Sequence, residues 1–203
     1  RIKAAGFDFV EFPLMMIDSL SDEDFETLLS ELKRLDLACD CSCNYFPGRI
    51  KVVGPTANKE EIDAYLDHAM GRAARMGVKK IVFGSNNSRN LPEGESIEQG
   101  YDELCRMIHE SVIPCCKKYG IMIVMEPIRK QSANFVLTVK DGKYVVDRVN
   151  APEIKTAFFR STATVSISST ASMFSRSITT TSPSPLRQRA AKAPKASPKR
   201  LRC

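Results

Sequence analysis

The chain lacks the features that mark several large classes of protein. None of its apolar runs reaches the roughly 20 residues that a membrane-spanning helix needs, and its N-terminal residues do not form a secretory signal peptide. It also has no GxGxxG motif, the glycine-rich fingerprint of dinucleotide-binding domains. These absences argue against a membrane protein, a secreted protein and a Rossmann-type dehydrogenase.

Acidic residues are missing from one end of the chain. Residues 156–203 contain nine Lys or Arg and 17 Ser or Thr but no Asp or Glu, whereas residues 1–155 contain 21 basic and 24 acidic residues. A segment of this composition cannot bury enough apolar surface to offset the entropy lost on ordering. We therefore predict a folded domain over residues 1–155 and a disordered basic tail over residues 156–203.

The basic tail could bind acidic partners, including nucleic acid, by counterion release. Its only aromatic residues are Phe158, Phe159 and Phe174, so stacking on bases is not supported and we do not expect nucleic-acid binding. The seven cysteines of the chain are an odd number, which favours the reducing cytoplasm. The first residue is Arg1 rather than Met, so we expect a missing start.

Apolar patterns alternate along the first 155 residues between strand-like and helix-like. Strands are predicted at residues 7–14, 37–46, 80–85 and 121–126, with a fifth beginning near Ile154. Helices are predicted to begin at Ser21, Asn58 and Ser96, with another over about residues 135–149, and Pro114 should kink the third. This order predicts a parallel sheet with right-handed crossovers, and both an open doubly wound sheet and a barrel satisfy it.

Polar residues follow three of the predicted strands. Glu11 lies near the end of the first, the loop 84–92 with Arg89 at its centre follows the third, and Glu126 closes the fourth. Parallel strands place these positions on one rim. A carboxylate closing a buried strand needs a cation, a metal or a proton, unless Glu126 is a solvated residue that caps a helix. The loop could bind an anionic or polyhydroxylated ligand or be an ordinary turn.

Two segments of this rim have the pattern of a known family. KKIVFGSNNSRNLPEG and KYGIMIVMEPIRKQSAN resemble the sugar phosphate isomerase/epimerase family, the xylose isomerase-like TIM barrels. AGFDFVEFPL and FPGRIKVVGP agree with it, so the resemblance covers about residues 1–155. It implies an α/β fold, a partial (β/α)8 TIM barrel of about four βα units that lacks the first strand and the C-terminal half.

The resemblance implies isomerisation or epimerisation of a sugar or sugar phosphate. A divalent metal such as Mn²⁺ or Mg²⁺ polarises the carbonyl while a carboxylate moves the neighbouring proton. Glu126 matches the catalytic carboxylate, which is also a metal ligand. The implied substrate-binding residues are Glu11, Ser85, Arg89 and Asn134. The family typically adds an Asp, a His and a second Glu from later strands.

The sequence departs from the family in two places. Ser132 occupies a position where many members have a substrate-contacting Glu, and no Asp, Glu or His follows Glu153. We hypothesise a shift of the reading frame near Lys155, which translation of the other two frames of the coding DNA would test. The chain would then be impaired, or be a non-catalytic remnant or interaction module. A half-barrel exposes strand edges, so we also expect self-association.

The remaining metal-ligand residue types have simpler explanations. Cys39, Cys41 and Cys43 alternate on one strand face, where they could bind a soft metal, but packing as small apolar side chains is favoured. His68 and His109 fall in predicted helices, where we expect surface or boundary positions. A DNA-cleaving branch of the superfamily needs several His at strand ends, which this chain lacks.

Overall fold

Five short parallel strands form the centre of the fold. The computed structural model describes residues 2–157, whose strands are β1 (Phe12–Pro13), β2 (Cys41–Cys43), β3 (Lys80–Phe83), β4 (Met122–Met125) and β5 (Ile154–Thr156). They pair in chain order, each parallel to the next. A doubly wound sheet reverses its strand order at a switch point, whereas a barrel does not. The fold is therefore a partial TIM barrel, and the predicted fifth strand is confirmed.

Helices connect the successive strands. They are α1 (Leu14–Ser19), α2 (Asp22–Arg34), α3 (Lys59–Arg75), α4 (Asn86–Arg89), α5 (Ile97–Met107), α6 (Ile113–Tyr119) and α7 (Val139–Val149), after a short 3₁₀ turn at Lys3–Ala5. The predicted starts at Ser21, Asn58 and Ser96 are confirmed, because each side chain accepts a hydrogen bond from the backbone three residues later. Thr138 caps α7 in the same way.

The two faces of the sheet differ in their burial. One face packs beneath the helices, and its side chains are fully buried: Ile81, Phe83, Ile123, Met125 and Ile154. Strand side chains alternate between faces. On the other face, which would line the interior of a closed barrel, Val82 is buried, Val124 is half-buried, and Lys80 and Lys155 are exposed. Residues 2–157 therefore cover the helix side of the sheet more completely than the barrel side.

Several predicted elements have different bounds in the structure. The strand predicted at residues 37–46 is regular only at Cys41–Cys43. The strand predicted at residues 7–14 is regular only at Phe12–Pro13, with one isolated bridge from Phe9 to Ala38. Leu14 already begins α1 and is fully buried there. The helix predicted from Phe135 begins at Val139, because the Thr138 cap sets its first turn. Apolar periodicity identified the buried positions correctly but misplaced these ends.

The long helix before β4 changes its winding near the proline. A π-helical segment, Ile108–Val112, separates α5 from α6, and Pro114 is the second residue of α6. Proline lacks a backbone N–H, and in the first turn of a helix that donor is not needed. The predicted disruption therefore takes the form of a π-helical segment that lets a new helix start at the proline.

Within residues 2–157, no helix is long and apolar enough to cross a membrane. The predictions for the basic tail fall almost entirely on residues 158–203, outside the described part of the chain.

Candidate active site

Polar side chains meet at the carboxyl edge of strands β2 to β4. Phe83 pairs with Met125 in the sheet, so Gly84 and Glu126 emerge side by side, and the Glu126 N–H donates to the Phe83 carbonyl at 3.1 Å. Cys43, the last residue of β2, is hydrogen-bonded to Glu11 and interacts electrostatically with Glu126. The rim predicted from sequence thus brings Glu11 and Glu126 into one cluster.

The Glu126 carboxyl is half-buried, and its surroundings act on its charge in opposite directions. Burial raises the pKa of Glu126, the Arg89 cation lowers it, and the Glu11 carboxylate raises it; the net shift is upward. A carboxyl with a raised pKa is a stronger base when ionised and is more easily protonated. These are the properties of a group that exchanges a proton with a substrate.

Gly84 provides the space in which the Glu126 carboxylate lies. A Cβ atom added at Gly84 would overlap Glu126 Oε2 and come within 3.2 Å of Ile128 Cδ1. Any larger residue would therefore push the carboxylate out of its position. A glycine is therefore needed at position 84 because the Glu126 carboxylate approaches its backbone closely, and not because the chain turns there.

Cys43 is a member of the cluster that sequence reasoning missed. Burial, the hydrogen bond to Glu11 and the charges of Glu11 and Glu126 all raise the pKa of the Cys43 thiol, so it remains neutral. A neutral thiol next to a carboxylate acts as a weak hydrogen-bond donor. The alternation of β2 was the available signal, because it puts Cys43 on the barrel side of the strand end.

The other two cysteines of this segment do not form a metal site with Cys43. Cys39 lies before β2 and is buried, which raises its pKa to about 12. The part of the chain that the structure describes contains no group of three or more His, Cys, Asp or Glu side chains arranged to hold a metal ion. The packing interpretation of these thiols is the one that the geometry supports.

Arg89 lies beneath the rim rather than on it. Its side chain is fully buried; Nη1 donates to the Phe83 carbonyl at 2.9 Å, and Nη2 donates to the carbonyls of Glu126 at 2.6 Å and Val136 at 3.4 Å. Burial lowers the pKa of Arg89 to about 10, which leaves it a cation at neutral pH. Arg89 thus joins the ends of β3 and β4 to the following loop. Its predicted role in substrate binding stays a prediction, and in this structure its side chain bonds to backbone carbonyls.

Strained backbone flanks Arg89 on both sides. Ser85 and Val136 have positive φ angles of 40° and 54°, a region that is costly for residues other than glycine, above all for β-branched ones. The Ser85 carbonyl accepts from the Arg89 N–H, and the Val136 carbonyl accepts from the Arg89 side chain. Such strain persists where neighbouring contacts over-determine the backbone, often at functional sites.

Ser85 and Asn134 connect the loops of the rim to one another. Ser85 Oγ accepts from the Phe46 N–H at 2.8 Å. The Asn134 side-chain amide makes two 2.9 Å hydrogen bonds to the backbone of Leu91, one as acceptor and one as donor. Their substrate-binding roles remain predictions, since in this structure their polar atoms hold neighbouring loops.

The two histidines lie away from the strand ends, as expected. His68, in α3, contacts Asp18 Oδ1 through Nδ1 at 2.8 Å. His109 is exposed in the π-helical segment. Neither extends the Glu11, Cys43 and Glu126 cluster.

The rim residues do not by themselves form a complete metal centre. Glu126 and Glu11 supply two carboxylates, whereas hard divalent ions such as Mg²⁺ take about six oxygen ligands, some of them water. The strand β5, where the family resemblance places an Asp, contains Ile154, Lys155 and Thr156. The described residues therefore supply only part of the ligand set that such an ion needs.

Removing the Glu126 charge is expected to stabilise the fold. The pKa of Glu126 in the folded protein is raised above its usual 4.5. The protonated carboxyl therefore favours the folded state: this stabilisation is complete below pH 4.5 and is lost as the pH rises through the folded-state pKa. We expect Glu126→Gln to unfold at higher urea concentration than the parent at pH 7, with the difference shrinking towards pH 4. Glu60→Gln, on the exposed start of α3, is the matched control and should lack this gain. An equal gain in both variants would contradict the assignment.

A family model and solved structures match this chain. The model described as xylose isomerase-like TIM barrel matches residues 1–158, and no curated protein matches the chain in sequence. D-psicose 3-epimerase from Clostridium cellulolyticum H10, solved with D-tagatose, matches with a TM-score of 0.65 and 13% identity, over 76% of this chain and 54% of its own. 3-Keto-D-glucoside 4-epimerase YcjR from E. coli matches with a TM-score of 0.63 and 15% identity, over 76% and 59%.

A third similar structure contains a metal. The IolI protein with a bound zinc atom matches with a TM-score of 0.59 and 16% identity, over 76% of this chain and 54% of its own. At these identities the likeness shows the fold alone. The chain spans little more than half of the length of these proteins.

Proposed function

Because this chain belongs to the xylose isomerase-like TIM barrel family, we propose that its site is built for isomerisation or epimerisation of a sugar or sugar phosphate. The observation that carries the proposal is the Glu126 carboxyl, which closes β4, is half-buried, has a raised pKa and lies against Gly84. Similarity to two sugar epimerases supports the substrate class.

Glu126 is proposed as the acid/base of this reaction. A hydrogen on the carbon next to a carbonyl is weakly acidic, so its removal needs a positioned base. The ionised carboxylate takes that proton, the C–H electron pair moves into the C–C bond, and the carbonyl oxygen gains the negative charge. Return of a proton to the other face of the same carbon gives an epimer. Return of a proton to the former carbonyl carbon gives an isomer, provided that the hydroxyl proton moves from one of the two oxygens to the other.

We also propose that Glu126 contributes to a divalent-metal site. The support is the family and the zinc-containing IolI structure, and such an ion would polarise the substrate carbonyl. Residues 2–157 supply only part of a ligand set. We therefore propose that the chain is truncated relative to a complete enzyme, with the boundary near residue 155, and that its activity is impaired.

A second proposal is that the chain is a non-catalytic interaction module. The open sheet edges favour it: within residues 2–157 the end strands β1 and β5 each pair on one side only, and open strand edges promote self-association. The basic tail would then contact acidic partners rather than nucleic acid. A cytoplasmic location fits both proposals, since the six described cysteines are all free thiols.

Exchange of substrate hydrogen with solvent deuterium tests the enzymatic proposal. We expect the parent to incorporate deuterium slowly next to the carbonyl of a ketose, as measured by NMR in D₂O with Mn²⁺ present. The rate of incorporation should fall at least about 100-fold in Glu126→Gln. The Glu60→Gln control should exchange like the parent. Equal rates in the parent and Glu126→Gln over a panel of ketoses and ketose phosphates would instead favour the non-catalytic module.

A further inference from the structure

A cleft separate from the carboxylate cluster opens between two loops of the rim. The loop after β2 and the loop after β3 enclose a volume of about 520 Å³, within the usual range for small-molecule sites. Polar residues on its walls are Lys51, Thr56, Asn87 and Asn90. Loops that follow parallel strands lie on the side of a barrel where ligands bind, so this cleft faces the same side as Glu126.

The positive charge of Lys51 is held in place but not neutralised. Its half-buried side chain donates from Nζ to the Asn87 carbonyl at 2.6 Å. Within residues 2–157 no carboxylate lies within salt-bridge distance of it, and none of the described lining residues is acidic. A lysine ammonium has three N–H donors, so two remain available to a ligand.

The neutral groups of the cleft add further donors. The Asn87 side-chain amide and the Thr56 hydroxyl make no hydrogen bond to the rest of the described chain. Asn90 uses its Oδ1 to accept from the Asn134 N–H at 3.2 Å, which leaves its side-chain NH₂ available. One cation and several neutral donors without an acidic group match an oxyanion, because each donor makes a stronger, charge-assisted bond to it.

Hydrogen bonds connect the cleft to the loop that follows Glu126. The backbone of Leu91, on the cleft wall, is bonded to the side chain of Asn134. Asn86, next to Asn87, donates through Nδ2 to the Ser132 carbonyl at 2.6 Å. The cleft and the candidate acid/base therefore lie on loops that are bonded to one another.

We propose that this cleft binds the phosphate group of a phosphorylated sugar, with Lys51 as its principal ligand. The inference rests on the proposed function and narrows it, from sugars in general to sugar phosphates. A phosphate is favoured over a carboxylate because the donors come from two loops and can surround a tetrahedral, doubly charged group. A neutral sugar would leave the Lys51 charge without a partner.

Calorimetric titration of the full chain with D-fructose 6-phosphate, D-fructose, inorganic phosphate and acetate, in EDTA, tests the proposal. We expect D-fructose 6-phosphate and phosphate to bind more tightly than D-fructose and acetate. Lys51→Gln should weaken binding of both phosphates by about 10- to 100-fold, whereas Lys51→Arg should retain most of it. Lys117→Gln, an exposed lysine on α6, is the matched control and should bind like the parent.

Two results would overturn this inference. One is phosphate binding that is unchanged in Lys51→Gln while circular dichroism shows the variant to be folded. The other is equal affinity for D-fructose and D-fructose 6-phosphate. The titration needs neither metal nor turnover, so it is independent of the deuterium-exchange test. Phosphate binding without exchange would contradict only the catalytic proposal, and exchange without phosphate binding would contradict only the inference about the cleft.

Discussion

Replacement of Arg89 by alanine is expected to lower the free energy of unfolding by about 3–5 kcal/mol. The buried guanidinium donates to the carbonyls of Phe83, Glu126 and Val136. Alanine would leave the Glu126 carbonyl without its donor and would open a cavity between the strand ends and the loop. The carbonyls of Phe83 and Val136 would lose one of two donors, because each also accepts from a backbone N–H. A buried polar group left unsatisfied costs about 1–3 kcal/mol. The strained conformation at Val136 would also lose a side-chain contact that holds it.

Urea denaturation of the full chain measures this effect. Arg106→Ala, an exposed arginine on α5 without an ion pair in the described residues, is the matched control and should stay within about 0.5 kcal/mol of the parent. Arg89→Lys should also be destabilised, since one ammonium cannot reproduce the planar, forked guanidinium. If Arg89→Ala lowers the free energy of unfolding by less than about 1 kcal/mol, the structural role of Arg89 is contradicted. The substrate contact expected from sequence would then be the better explanation.

The sequence was sufficient for the layout of the rim. Short apolar runs located the two strands that Gly84 and Glu126 follow, and cap residues located the helices between them. Both signals are local properties of the sequence. The resemblance then identified Glu126 as the residue of chemical interest. Its raised pKa could not be read from sequence, since it depends on burial and on two distant charges, Arg89 and Glu11.

The roles of other residues depended on contacts that sequence does not show. Arg89, in a polar loop, has the pattern of a ligand-binding cation, but the fold places it beneath the strand ends. Cys43 was interpreted as packing, although the register of β2 brings it to Glu11. Lys51 belongs to no sequence motif. Its proposed role follows from the contact between the loop after β2 and the loop after β3, which the sequence does not show.

Manganese binding by the full chain is expected to be weak. Glu126 and Glu11 provide two negative charges at the rim, and affinity for a hard cation falls steeply as charged ligands are lost. We expect a dissociation constant of about 1 mM or weaker, whereas a complete set of three carboxylates and a histidine would bind far more tightly. Glu126→Gln should weaken the remaining affinity, and Glu60→Gln should not.

Titration of Mn²⁺ followed by electron paramagnetic resonance decides whether Glu126 anchors a metal-assisted site whose remaining ligands are missing. We expect millimolar affinity in the parent and in Glu60→Gln, and weaker binding in Glu126→Gln. Micromolar affinity in the parent would refute this assignment, because it would show that other residues of this chain complete the site.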